Sequence, residues 1–155
     1  PKHDRRMLLK AVLLEQLGRI NEAIKCYKTF IDVVGNDAAV EQQLVSLLFT
    51  QNRFKEASNQ MKKMSDKQPT YFFDLALLEF KAKNYEQALT YLNQALIRIP
   101  NFTRAKLLNV EILVEQKKID TALSFLQSWI CQDPHDQTAL HTLLLLDKAH
   151  ASTDQ

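Results

Sequence analysis

Two glycines and four prolines in 155 residues leave this chain short of the residues that build tight turns. Sheets and irregular folds need many turns with positive φ, whereas helical hairpins close through short connections that need few such residues. The scarcity points to an all-α fold. Cysteine is equally sparse. Cys26 and Cys131 lie far apart in segments that read as helical, which argues against a disulfide framework and is compatible with a reducing compartment. An excess of one charge is missing too: twenty basic and eighteen acidic residues are interspersed for a net charge of +2, so there is no electrostatic footprint for nucleic acid. No apolar run approaches the roughly 20 residues that span a bilayer. Met7 to Leu17 is interrupted by Lys10, Glu15 and Gln16. A soluble chain is expected, with the compartment open and the cytoplasm slightly favoured. The first residue, Pro1, is compatible with a chain cut from a longer or processed one.

The parts of a catalytic site are also lacking. There is no His-Glu-x-x-His, no Cys-x-x-Cys, and no glycine-rich phosphate loop. His141 and His150 are nine residues apart on one expected helix and fall on different parts of its surface, so they read as surface histidines. Pro134 separates Cys131 from His135 and breaks a shared ligand face. Cys26 reads as a packing or edge residue and Trp129 as core. Neither an enzyme nor a cofactor or metal is expected. The basic cluster Lys2, His3, Arg5, Arg6 and Lys10 reads as a solvated helix start, or more sharply as a contact for an acidic partner.

What the chain does contain is a repeat. A turn, a bulky apolar residue, two polar residues, alanine and another residue recur as Gly18 to Ile24, Asn52 to Ser58, Lys83 to Leu89 and Lys117 to Leu123. The four alanines, Ala23, Ala57, Ala88 and Ala122, are 34, 31 and 34 residues apart. Four residues after each comes Tyr27, Met61, Leu92 or Leu126, and three further on Phe30, Met64, Ala95 or Trp129, all on one helical stripe. Gly35, Pro69, Pro100 and Pro134 then act as stops. Four helical hairpins are expected at about 4–37, 38–68, 69–102 and 103–136, with a last helix over 137–150, as one domain. The second unit lacks three residues, which should shorten its second helix or the turn after it.

This pattern resembles the tetratricopeptide repeat (TPR). The fullest match is the third unit, with Phe72, Leu75, Ala76, Tyr85, Ala88, Leu92, Ala95 and Pro100 at the family positions; Val45, Val110 and Asn109 depart from it. The resemblance implies an α-solenoid of about four hairpins plus a C-terminal capping helix, acting as a non-catalytic scaffold for a protein or peptide partner. In that family the first helices line a concave surface. The matching positions here are Leu8, Val12 and Glu15; Gln42, Ser46 and Phe49; Phe73, Leu77 and Phe80; then Leu107, Glu111 and Val114. The resemblance thus implies a mostly apolar groove. Family members that grip a terminal carboxylate with Lys, Asn and Arg are not matched, since Leu8, Val12, Phe73 and Leu77 stand at such positions. Arg5 and Arg104 could hold an acidic group at the rim. Phe73 and Phe80 are the expected anchors.

The last helix supplies an alternative. Leu143 to Leu146 are consecutive, and at about 100° per residue they cannot all face one neighbour. Outward leucines would favour a weak homodimer through this helix, or its continuation into further repeats, making the chain a self-assembly module.

Overall fold

A computed structural model describes residues 2–64 and 67–154. Among them are nine α-helices and no strand: α1 (Lys2–Gln16), α2 (Ile20–Val34), α3 (Ala38–Thr50), α4 (Phe54–Lys63), α5 (Tyr71–Lys81), α6 (Tyr85–Arg98), α7 (Thr103–Glu115), α8 (Ile119–Gln132) and α9 (Gln137–Thr153). The fold is all-α, a series of helical hairpins followed by one more helix. Contacts group into two compact units, Pro1–Tyr91 and Leu92–Gln155, divided within α6. In the first, α1 packs on α2, α2 on α3, α3 on α4 and α4 on α5; in the second, α7 packs on α8 and α8 on α9. Packing between consecutive helices is how stacked repeats bury a core that no hairpin could bury alone.

The hairpin turns share one backbone solution. Gly18, Asn52, Lys83 and Lys117 occupy the same place in the repeat and all have positive φ, at 74°, 58°, 63° and 60°. In each, the next amide closes back onto the first helix: Arg19 to Leu14 at 2.9 Å, Arg53 to Leu48 at 2.9 Å, Asn84 to Glu79 at 2.8 Å and Lys118 to Leu113 at 2.8 Å. This is the six-to-one bond of a Schellman ending, which satisfies an orphan carbonyl and favours glycine. Lysine at such a φ costs roughly 1–2 kcal/mol through its Cβ. Part of that returns as the greater freedom of glycine in the unfolded chain. Lys117→Gly is therefore expected to raise stability by up to about 1 kcal/mol, read as a higher urea midpoint.

Alanines make the close approaches. In the first unit Ala11, Ala23, Ala57, Ala76 and Ala88 are fully buried, and in the second Ala105, Ala122 and Ala139 are. The stripes continue through buried Tyr27 and Phe30, Met61 and Met64, and in the second unit Leu126 and Trp129. Gly35 ends α2 with φ of 112°. The shortened second unit takes its deficit from α4, which has 10 residues where α2 has 15 and α8 has 14.

Candidate functional site

In the first unit α3 and α5 border a cavity of about 360 Å³. From α3 come Gln42, Val45, Ser46 and Phe49, spaced so that they share one face. From α5 come Tyr71, Asp74, Leu77 and Leu78. Met61 of α4 and Met64 just beyond it complete the apolar lining, and Gln68 joins the polar side. Methionine floors adapt to differently shaped guests because the side chain is unbranched and polarisable. The aromatic members are held from behind: Phe49 meets Phe54 edge-on at 5.4 Å, and Tyr71 meets Phe72 at 5.2 Å. Lys67 Nζ lies 4.9 Å from the Tyr71 ring centroid, and the Asp74 carboxylate accepts a hydrogen bond from Thr70 Oγ1 at 3.0 Å. Gln42, Ser46 and Gln68 are exposed. The result is an apolar hollow with hydrogen-bonding groups around it.

A second, more open depression of about 580 Å³ in the same unit is lined by Leu8, Val12, Glu15 and Gln16 of α1, Tyr27 of α2, and Ala39, Val40 and Gln43 of α3. Glu15 is fixed there, accepting from Tyr27 Oη at 3.1 Å and from Gln43 Nε2 at 2.7 Å. Burial, and then the bond to Glu15, pushes the Tyr27 phenol up to about 12, which keeps it a neutral donor.

These hollows gather Gln42, Ser46, Phe49 and Leu77 in one and Leu8 and Val12 in the other. Phe73 requires correction as a groove residue. It is 4% exposed and lines neither hollow. Phe80 is half-buried, with its ring centroid 5.9 Å from that of Tyr85, and it lines neither hollow. On α5 the hollow is lined by half-buried Asp74 and Leu77 and by the more buried Tyr71 and Leu78. At about 100° per residue Phe73 and Phe80 fall on the side of Leu77 away from Asp74, Leu78 and Tyr71. In the second unit Arg104 and Glu111 are exposed and Leu107 half-buried along one face of α7.

Two further polar clusters lie in the first unit, around Glu79 and Glu56. Buried Glu79 accepts from Ser58 Oγ at 2.7 Å and Asn84 Nδ2 at 2.9 Å, with Lys62 Nζ at 3.5 Å. Its pKa feels burial upward, yet these bonds leave it below the ordinary carboxylate value. Hydrogen bonds from Arg53 and Lys28 lower Glu56 to about 2. Among the described residues no group of three His, Cys, Asp or Glu side chains is placed to hold a metal, and no helix is long and apolar enough to cross a membrane. Cys131, His135, His141 and His150 are exposed, while Cys26 packs partly against the core.

Three sequence profiles, each of the tetratricopeptide repeat, match residues 5–33, 42–101 and 79–145. The chain belongs to the tetratricopeptide repeat family, whose members in general mediate protein–protein contacts as scaffolds. Comparison with curated proteins finds no match. Among solved structures, a tetratricopeptide repeat protein from Parabacteroides merdae is 17% identical, with a TM-score of 0.72 over 99% of this chain and 62% of its own. This chain thus spans less than two thirds of that protein. MamA from Desulfovibrio magneticus is 16% identical with a TM-score of 0.68, covering 97% of this chain and 87% of its own. YrrB, described as a TPR protein with an unusual peptide-binding site, is 20% identical with a TM-score of 0.61, covering 94% of this chain and 76% of its own. At these identities the likeness is one of fold.

Proposed function

We propose that this chain is a non-catalytic scaffold that holds a short segment of a partner protein in the hollow between α3 and α5. The observation that carries this reading is the hollow itself: apolar walls from Phe49, Leu77, Met61 and Met64, with Gln42 and Ser46 exposed beside them. Burying one leucine-sized side chain there contributes roughly 1.5–3 kcal/mol. Gln42 and Ser46 supply hydrogen bonds to the main chain of an extended segment. YrrB, which shares the fold, has a peptide-binding site. The test is site-specific photocrosslinking in cells, with the crosslinker at Ser46 and, as a control on another surface, at Asn59. A captured peptide should be joined at Ser46 through or beside an apolar residue, and Leu77→Glu should weaken its binding at least about tenfold while the melting temperature holds. Equal capture at both positions would remove the hollow as the site.

A second reading rests on α9. Leu144 and Leu145 are 59% and 55% exposed while Leu146 is 7% exposed. Two adjacent outward leucines favour pairing with a second copy. Light scattering over a concentration series should show weak association that Leu144→Glu with Leu145→Glu abolishes. A strict monomer at every concentration would dismiss it.

A further inference from the structure

We propose that the depression between α1 and α3 receives an arginine side chain of the partner segment held in the neighbouring hollow, about three or four residues from its apolar anchor. The inference rests on the reading of the hollow as a peptide site and adds the charge of the peptide. Its basis is Glu15. This carboxylate is half-buried in the depression and accepts one hydrogen bond on each oxygen, from Gln43 Nε2 at 2.7 Å on Oε1 and from Tyr27 Oη at 3.1 Å on Oε2. Both donors are neutral, and among the described residues no Lys, Arg or His forms an ion pair with it. A carboxylate has about four lone-pair directions, so roughly one remains on each oxygen, an arrangement that a planar guanidinium meets with two parallel N–H donors. The two existing bonds fix the group in advance, which lowers the ordering cost of binding.

The rest of the depression suits the same guest. Leu8, Val12 and Val40 offer apolar surface to the methylenes of an arginine stem. With its amide nitrogen on Glu15, Gln43 keeps its carbonyl oxygen as a further acceptor. No basic residue lines either the depression or the hollow, where Asp74 is the charged lining residue. The cations of the neighbourhood are engaged or distant. Arg19 is bound to Glu22, and Lys67 Nζ lies over the Tyr71 ring. Along α1, Lys10 falls about 140° around the axis from Glu15, and Arg5 stands about 15 Å away.

Helix α3 lies between the two sites, giving Val40 and Gln43 to the depression and Gln42, Ser46 and Phe49 to the hollow. A helix with its side chains is about 10–12 Å across, which an extended chain covers in three or four residues at about 3.3 Å each. The guest must therefore be extended, and this chain does not offer an arginine in that form. Arg5 and Arg6 lie within α1, Arg98 within α6 and Arg104 within α7, while Arg19 and Arg53 are bonded to Glu22 and Glu56 at helix starts. The occupant is a segment of another protein.

The experiment pans displayed random short peptides against the 155-residue chain and against Glu15→Gln. The wild type should enrich arginine three or four residues from a large apolar residue, and Glu15→Gln the apolar residue alone. Replacing that arginine with citrulline, which keeps the shape and removes the charge, should weaken binding to the wild type at least about tenfold by fluorescence anisotropy. Binding to Glu15→Gln should not change. Val12 is 41% exposed, so Val12→Lys sets a competing cation in the depression without touching the core; it should weaken the arginine peptide and spare the citrulline one. Leu77→Glu should weaken both. Peptides that depend on Leu77 but show no preference for arginine, or prefer glutamate, overturn this inference and leave the reading of the hollow standing. Selected peptides that all ignore Leu77→Glu remove both. A wild-type dimer in sedimentation that the arginine peptide dissociates and Val12→Lys abolishes overturns the inference in favour of a second copy.

Discussion

Replacing Trp129 with alanine is expected to destabilise the second unit by about 3–5 kcal/mol, because it removes a buried ring and two polar contacts at once. Trp129 is 2% exposed in the stripe of α8. Its indole Nε1–H donates to Asp136 Oδ2 at 2.9 Å, while Oδ1 of the same carboxylate accepts from the amides of Thr138 at 2.9 Å and Ala139 at 3.2 Å. One carboxylate therefore joins the core of α8 to the start of α9. On the other side, Lys106 Nζ stands 5.1 Å from the ring centroid, and Lys106 is 8% exposed. Without the ring that ammonium faces a void in place of a π-system. Hydrogen exchange should show the amides of α8 and α9 losing protection together. Trp129→Phe, which keeps most of the packing but not the N–H, should fall between. Asp136→Ala should cost about 0.5–2 kcal/mol through the lost cap. If α9 keeps its protection in Trp129→Ala, the ring is not what ties the two helices.

The position of that tryptophan was legible because period and stop signals are local. Ala122, Leu126 and Trp129 announce a buried stripe wherever the helix packs, and all three are buried. Gly35 and the three missing residues of the second unit likewise act through short-range backbone effects, and both appear where expected. The rotation of a helix about its axis is a different matter, since it is set by what packs on either side. The pattern on α5 marks Phe73, Leu77 and Phe80 as one face, yet only Leu77 reaches the hollow, and Tyr71, Asp74 and Leu78 do most of the lining. Met61 and Met64 read only as core, although they also form a wall of the cavity. The left-handed turns at Lys83 and Lys117 have no propensity signal either, for they are imposed by closure of the hairpin. Least legible is Glu41. It stands 34 residues after Met7 and 31 before Phe72, both apolar, while the fourth unit has Lys106 there, and nothing in the local sequence says how a carboxylate fits.

The fit is poor, which makes Glu41→Met an expected gain. Glu41 is 1% exposed, and neither carboxylate oxygen has a hydrogen-bond partner among the described residues. Burial, and after it the charge of Asp37, holds its pKa above the ordinary carboxylate value. A raised folded pKa means that the folded chain binds the proton more tightly, so stability falls as pH rises from the ordinary value through the folded one, and the full penalty stands above it. Glu56 has the opposite sign: its folded value of about 2 lies below the ordinary 4.5, so its contribution is present above 4.5 and lost as pH falls toward 2. Methionine, already used at Met7, removes the unsatisfied oxygens while keeping the volume. An unsatisfied buried polar group costs about 1–3 kcal/mol, and a gain of that order is expected near neutrality, shrinking as pH falls below about 4 and the glutamate becomes protonated in both states. Urea unfolding followed by far-UV circular dichroism at the two pH values reads the difference, with hydrogen exchange in α3 and α4 as the local check. The sole tryptophan is no substitute, since Trp129 reports on the second unit. A variant no more stable than the wild type at neutral pH, or a gain that does not shrink in acid, would mean that Glu41 is satisfied in solution.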